Sequence, residues 1–359
     1  MRILHLLNHT RRLNGHVHAA VDLACAQVKL GHTVAVASGG GDFDQLLTDH
    51  GVECMRINQE RRPASLAMGL RLLYRAVDEW RADVVHAHMV TSAALAWPVC
   101  RVLRRALVTT VHNEFQKSAV LMGLGTRVIA VSAAVGQSMQ KRGISRARID
   151  VILNGTIGSV RFDGKDRTAR SLETPAIIFV GGLHPRKGLP DLFAAFGSVH
   201  EKHQGAHLYI VGDGPCRDQY IATVNAMECN GAVTFTGPTD EPFPFMKGAD
   251  IFVLPSHADP APLVLSEARE AGCAIVATEV DGIPELLEHG KAGILVPPGD
   301  PSQLAKVLCG LLERAEVLEE WKRNSQYNVD YLRIDRVARD TLAVYANATR
   351  KVGRAVTDK

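Results

Sequence analysis

With 359 residues, 46% of them hydrophobic and 22% charged, the chain is long enough for two ordinary domains and too apolar to be disordered. No apolar run reaches the ~18 residues of a spanning helix, and an aromatic content of 5% leaves little with which to stack bases, so neither a membrane-spanning nor a nucleic-acid-binding protein is expected. The net charge of +3 hides an asymmetry, since residues 1–170 hold 23 Lys+Arg against 13 Asp+Glu and the remainder is acidic.

In chain order, the first half alternates short apolar runs with helical patterns. Strands are expected at 3–7, 33–38, 53–57, 83–87, 107–111 and 128–131, and helices at 17–30, 64–80, 92–104 and 133–142. Gly31 stops the first helix. The opening MRILHLLNHT meets Arg11-Arg12 at once and reads as a strand, not a signal peptide. The seven cysteines are scattered and form no CxxC, as expected of small core residues in a reducing, cytoplasmic compartment. Gly39–Gly41 reads as a flexible turn and Asp42-Phe43-Asp44 as a solvated loop.

The stretch 154–173 is polar, glycine-bearing and aperiodic, and reads as the interdomain linker. Alternation then restarts, with strands at 177–180, 208–211, 233–236, 251–254, 275–277 and 294–296 and helices at 189–200 and 216–227. Asp300-Pro301-Ser302-Gln303 has the pattern of a helix start, and the sequence stays helical in pattern to Arg354. Alternating β and α predicts an α/β chain with two doubly wound parallel sheets.

Three stretches can carry chemistry. In the first, 180–188, a strand ends in Gly181-Gly182, followed by Arg186, Lys187 and a helix. Glycines let a phosphate approach the backbone, and a helix start offers free N–H groups and a positive dipole. In the second, 250–272, a strand is followed by a loop with Asp259 and a helix on which Leu263, Glu267 and Ala271 share a face, while Arg269 and Glu270 point elsewhere. A carboxylate on an apolar stripe must be paired or must hold something polar. The third is histidine-rich. His112 ends the strand at 107–111, and His86 and His88 form an H-x-H pair with no third metal ligand visible at a useful spacing.

Taken together these blocks resemble the retaining GT-B glycosyltransferases of family 4. Asp259-Pro-Ala-Pro-Leu-Val-Leu-Ser-Glu267-Ala268 has the spacing of that family's paired acids, with Asp for the first Glu and Ala261-Pro262 for Phe-Gly. Asp83-Val-Val-His-Ala-His88, Val128-Ile-Ala-Val-Ser132, Val151-Ile-Leu-Asn-Gly155 and Val211-Gly-Asp-Gly-Pro215 are similar to its other blocks, in its order. In the family's phosphate frame Lys187 matches, and Gly182 stands where an arginine is usual.

The resemblance implies two Rossmann-like domains facing a cleft, an acceptor-side domain at 1–165, a donor domain at 172–336, and a last helix at 337–359 that returns to the first domain. It implies sugar transfer from a nucleotide sugar to a hydroxyl, with retention, in surface polysaccharide or glycolipid synthesis. Catalytic roles fall to His112, Asp259 and Lys187. Donor contacts fall to Gly15 (in Asn14-Gly15-His16), Gly182, Arg186, Lys187, Asp259, Leu263 and Glu267. No metal and no cofactor beyond the nucleotide-sugar substrate are implied. The acceptor is expected to be a carbohydrate or a lipid-linked molecule. The basic first half, with Arg11, Arg12, Arg61, Arg62, Arg104 and Arg105, suggests peripheral contact with an anionic membrane at its cytoplasmic face. The departures at Gly182, Asp259 and Pro262 leave open a GT-B binding protein without catalysis, and an epimerase acting on sugar nucleotides is a further alternative.

Overall fold

The structure is a computed structural model that describes residues 1–12, 14–59 and 63–357. The chain divides into two compact units. One is Met1–Asp163 together with Leu332–Lys359, and the other is Gly164–Tyr331. Each is a parallel sheet covered by helices.

In the first unit the strands are β1 (Arg2–Leu6), β2 (Thr33–Ser38), β3 (Glu53–Arg56), β4 (Val84–Ala87), β5 (Ala106–Val111), β6 (Arg127–Ala130) and β7 (Ile149–Val151). Their order in the sheet is β3-β2-β1-β4-β5-β6-β7. β1, β4 and β5 are buried almost throughout, which is why they read as continuous apolar runs. The three-residue β7 escapes periodicity because only Ile149 of it is buried.

In the second unit the strands are β8 (Ala176–Val180), β9 (His207–Val211), β10 (Val233–Gly237), β11 (Ile251–Leu254), β12 (Ala274–Thr278) and β13 (Ile294–Val296), in the order β10-β9-β8-β11-β12-β13. In both sheets the strand order reverses once, between β1 and β4 and between β8 and β11. In open α/β sheets that reversal opens a crevice at the carboxyl ends of the two strands.

Four local expectations are corrected. Asp44 is not in a solvated loop. It starts the helix Asp44–Asp49, accepts from Thr10 Oγ1 at 2.5 Å and pairs with Arg56 at 2.7 Å. Gly39–Gly41 is pinned, since Gly39 N donates to the Asn8 carbonyl and Thr10 N to the Gly40 carbonyl. The polar stretch 154–163 packs onto the first unit, where buried Arg161 pairs with buried Asp22 at 2.7 Å. A buried ion pair hides a polar sequence from any hydrophobic pattern. The helical pattern after Asp300 is broken into Pro301–Leu312, Ala315–Asn324 and Ile334–Thr357. The break at Val329–Leu332 is where the chain passes from one unit to the other. The expected caps are present: Asp300 accepts from Gln303 N at 2.9 Å, and Gly31 adopts φ +85°.

Candidate functional site

Each unit carries a cluster of polar side chains at its own reversal point. In the second unit β8 ends in Gly181-Gly182 and β11 ends before Ser256. The loop after β8 makes a 3₁₀ turn, Pro185–Lys187, and only then enters the helix Leu189–Lys202. Between them Gly188 sits at φ +67°, and a Cβ there would lie 1.9 Å from the Pro255 carbonyl oxygen. Only glycine allows this approach, which lays the Lys187 turn on the loop after β11. His257 N closes the contact by donating to the Arg186 carbonyl at 2.8 Å.

The consequence is a buried ion pair. Lys187 Nζ lies 2.5 Å from Asp259 Oδ2, and both residues are buried. Ser256 Oγ stands 3.4 Å from the same oxygen, and Arg186 Nη1 stands 3.7 Å from Asp259 Oδ1 while donating to the Ala258 carbonyl at 3.1 Å. Arg186 is thus turned toward the acid loop. The backbone of Asp259 is fixed as well, its N–H donating to Asp281 Oδ2 at 2.6 Å. The glycine turn is stiffened by its neighbour. Leu183 N donates to the Asp213 carbonyl at 2.9 Å, and Gly212, at φ +141°, leaves no room for a Cβ against the Gly181 carbonyl. At Gly182 the nearest obstacle to a Cβ is the ring of exposed His184, at 3.2 Å.

The helix Leu263–Ala271 follows directly. Its N-cap is Pro262, which makes no side-chain cap, and Leu265 N turns back to the Pro262 carbonyl at 3.2 Å, so the first turn begins at half-buried Leu263 without a side-chain cap. Glu267 is buried one turn further on. Arg269 does not point away from the core. It is fully buried, donating to the carbonyls of Ser325 and Leu286 at 2.9 and 2.6 Å and to that of Tyr327. Three carbonyls take the place of a carboxylate, and no sequence pattern announces that.

In the first unit, His5 on β1 and His86 on β4 are register partners, and His88 is two residues past His86 on the same face. His112 follows the end of β5. All four lie at or beside the β1/β4 reversal. His5 Nδ1 and His88 Nε2 are 2.9 Å apart, and His88 Nδ1 and His112 Nε2 are 3.1 Å apart. His5 is therefore the third histidine that the H-x-H pair lacked, with nitrogens of His5, His86 and His88 within 4.8 Å of one another. Burial lowers the His5 pKa to about 4, against an opposing hydrogen bond to the Gln27 carbonyl, and lowers that of half-buried His112 to about 3, with His16 adding to the effect. Burial, then neighbouring imidazoles, hold His86 and His88 well below the ordinary value. The rings are neutral, and each makes hydrogen bonds within the protein.

Asn14 caps the helix Gly15–Lys29 in position without a side-chain bond, and exposed Gly15 has no atom within 4 Å of a built Cβ. The fold itself does not demand glycine there. His16, next in sequence, lies with its ring centroid 6.0 Å from that of His112. Arg61 and Arg62 lie outside the described residues. Asp281, Ser256 and Gln27 were not singled out by sequence; only the Asp281-Gly282 turn dipeptide hinted at the first.

Residues 13–156 match the family described as Glycosyltransferase Family 4, and residues 174–314 match Glycosyl transferases group 1. The chain is 30% identical over 272 residues to the glycogen synthase of Mycobacterium tuberculosis, which covers 70% of this chain and 65% of that protein. It is 26% identical over 373 residues to an uncharacterized glycosyltransferase of Methanocaldococcus jannaschii, covering 92% of this chain and 94% of the other. Among solved structures, HepE of Anabaena in complex with UDP superposes with a TM-score of 0.80 at 20% identity, over 97% of this chain and 100% of the other. The same protein with UDP-glucose gives 0.78 at 19% identity, over the whole of both. At that identity the likeness shows the two-domain GT-B fold.

Proposed function

We propose, starting from a chain that belongs by its two family matches to the group 1 glycosyl transferases, that the protein moves a sugar from a nucleoside-diphosphate donor to a hydroxyl of a carbohydrate or lipid-linked acceptor. Transfer with retention at the anomeric carbon, in the making of a surface polysaccharide or glycolipid, is part of this reading. The observation that carries it is the buried Lys187–Asp259 pair, flanked by a glycine turn and an uncapped helix start at the reversal of the second sheet.

Each role follows from chemistry. A leaving diphosphate gains negative charge in the transition state, and a preorganised cation there lowers the barrier. Lys187 supplies that cation, with Arg186 beside it in the place of the arginine that Gly182 lacks. Asp259 holds Lys187 in position and accepts from hydroxyls of the donor sugar. Buried Glu267 accepts from the ribose. Leu263 contributes a first-turn N–H to the phosphate, and Gly15 leaves room for a ligand beside its loop. His112 offers a sugar hydroxyl a neutral imidazole. Uridine nucleotides are the first donors to test, since the Anabaena neighbour was solved with UDP and UDP-glucose.

In a thermal-shift screen, a nucleotide sugar at a hundred times its Kd stabilises its site by about 2.7 kcal/mol. The reading expects at least one nucleoside diphosphate or its sugar to raise the melting temperature of the protein. It also expects Glu267→Gln to weaken that response while leaving the ligand-free melting temperature within a few degrees. A panel of nucleotide sugars that leaves the melting temperature unmoved contradicts it.

Peripheral contact with an anionic surface belongs to the same reading. Among the described residues of the first unit, a cavity of about 610 Å³ is lined by Arg101, Arg104, Arg105, Arg148, Lys351 and Trp97, with no carboxylate in its wall. The buried Nε of Arg105 has no partner. Arg104 and Arg105 immediately precede β5, so this cavity lies at the amino end of the strand whose carboxyl end leads to His112. No described helix is long and apolar enough to cross a membrane. Binding to anionic vesicles is expected to exceed binding to neutral ones, to weaken as salt rises and to fall on Arg104→Ser/Arg105→Ser substitution. Equal binding to both vesicle types returns the charge to an ordinary solvated surface.

A further inference from the structure

Four histidines of the first unit, His5, His86, His88 and His112, form more than a cluster. They form one unbranched chain of hydrogen bonds, buried except at its last ring. Gln27 Oε1 lies 2.8 Å from His5 Nε2, His5 Nδ1 lies 2.9 Å from His88 Nε2, and His88 Nδ1 lies 3.1 Å from His112 Nε2. At the inner end Gln27 Nε2 donates to Tyr345 Oη at 3.3 Å, and that hydroxyl meets His86 Nδ1 at 2.5 Å. His86 Nε2 closes the set on Thr110 Oγ1 at 2.7 Å. Gln27, His5, His86 and Tyr345 have no exposed surface at all. Among the described residues no carboxylate bonds to any of these rings.

A neutral imidazole has one N–H and one lone pair, on opposite nitrogens. A hydrogen bond between two such rings needs one of each. The direction chosen at one end of the chain therefore dictates the direction of every link, and the chain has two self-consistent polarities. In one, each ring carries its proton on Nε2. In the other, each carries it on Nδ1. Gln27 breaks the tie, because its two ends differ and its orientation is given: its amide nitrogen lies toward Tyr345 and its carbonyl toward His5, where it takes the Nε2 proton. His5 Nδ1 then accepts from His88 Nε2–H, and His88 Nδ1 accepts from His112 Nε2–H. The lone pair left over is on Nδ1 of His112.

We propose that Gln27, bonded to Tyr345, is a remote positioning residue that sets the tautomer of His112 through His5 and His88, so that His112 offers its ligand a hydrogen-bond acceptor and selects a hydroxyl. The proposal deepens, and rests on, the reading of His112 as a sugar contact. Gln27 belongs to the helix Gly15–Lys29 and Tyr345 to the helix Ile334–Thr357, so two helices remote in sequence fix the chemistry at the end of β5. No ring need be charged at any step, in keeping with the burial of the set.

The test is nitrogen NMR of the full-length protein, labelled at histidine and free of ligand. The proposal expects His5, His88 and His112 each to be protonated on Nε2 alone. Tyr345→Phe and Gln27→Met should both convert His112 to a mixture of tautomers and lower kcat about tenfold with little change in donor KM. Gln27→Glu, which as a neutral acid can present a carbonyl to His5 and an O–H to Tyr345, should keep the Nε2 form. An Nδ1-protonated or charged His112 in the unaltered protein overturns the proposal, whatever the variants do. So does an unchanged His112 in a folded Tyr345→Phe protein. If the tautomers respond as expected while no nucleotide sugar is turned over, the positioning chain stands and the transferase reading fails.

Discussion

Replacing Lys187 with alanine is expected to cut turnover by roughly 10²–10³-fold, the usual cost of removing one preorganised group that stabilises transition-state charge. It is also expected to lower stability, for a separate reason. Asp259 is buried, and without Lys187 its carboxylate keeps, among the described residues, Ser256 Oγ at 3.4 Å and exposed Arg186 at 3.7 Å. Breaking a buried pair by removing one partner costs about 3–5 kcal/mol, whereas removing both costs far less. The double variant Lys187→Ala/Asp259→Ala should therefore regain most of the lost stability and none of the activity. Urea denaturation and donor turnover on the three variants separate the effects. If Lys187→Ala is destabilised but turns over donor normally, the pair is structural and the phosphate role is wrong.

Acidification is expected to weaken the first unit well above the range in which ordinary carboxylates titrate. Burial pushes His5 down to about 4 and His112 to about 3, and holds His86 and His88 well below 6.5. A histidine whose folded pKa lies below its unfolded value takes up its proton first in the unfolded chain. Stability is then full above pH 6.5 and is lost as pH falls from 6.5 toward 4. Each tenfold loss of proton affinity on folding is worth about 1.4 kcal/mol, so the set withdraws several kcal/mol, a large share of the ~5–15 kcal/mol that holds a protein folded. The three tryptophans allow the measurement. Trp80 and Trp97 lie in the first unit and Trp321 in the second, so a Trp321→Phe variant reports the first unit alone. Its urea midpoint should drop steeply between pH 6.5 and 4.5. A flat midpoint over that range means that the rings are not held neutral.

Much of the fold was legible because the buried parallel strands are near-continuous apolar runs bounded by glycine, proline and polar residues, as in β5 and β11. What stayed hidden was polar and long-range. Asp44 read as part of a solvated loop, and the stretch holding Arg161 as a linker, because periodicity cannot show that Thr10, Arg56 and Asp22 satisfy them. Arg269 stands apart from the apolar stripe, and its burial stayed hidden because its partners are backbone carbonyls, which carry no sequence signature. At the site, Lys187 and Asp259 could be singled out separately, but they lie 72 residues apart, and only the β8–β11 pairing brings them to 2.5 Å. The same holds for His5, which joins the H-x-H pair only through the β1–β4 register. Gln27 and Tyr345 fall on ordinary-looking helices and gave no signal at all.

The central claim is that a nucleotide sugar is cleaved at the Lys187–Asp259 pair and its sugar passed to a hydroxyl. It is tested most directly by incubating the protein with nucleotide sugars labelled in the sugar, UDP-glucose first, in the presence of membrane and polysaccharide acceptors, and following where the label goes. The account predicts release of nucleoside diphosphate, label in a glycosidic bond of the donor's own anomeric configuration, and loss of both in Lys187→Ala. A protein that binds a nucleotide sugar yet releases no nucleoside diphosphate from any donor in the panel would contradict it.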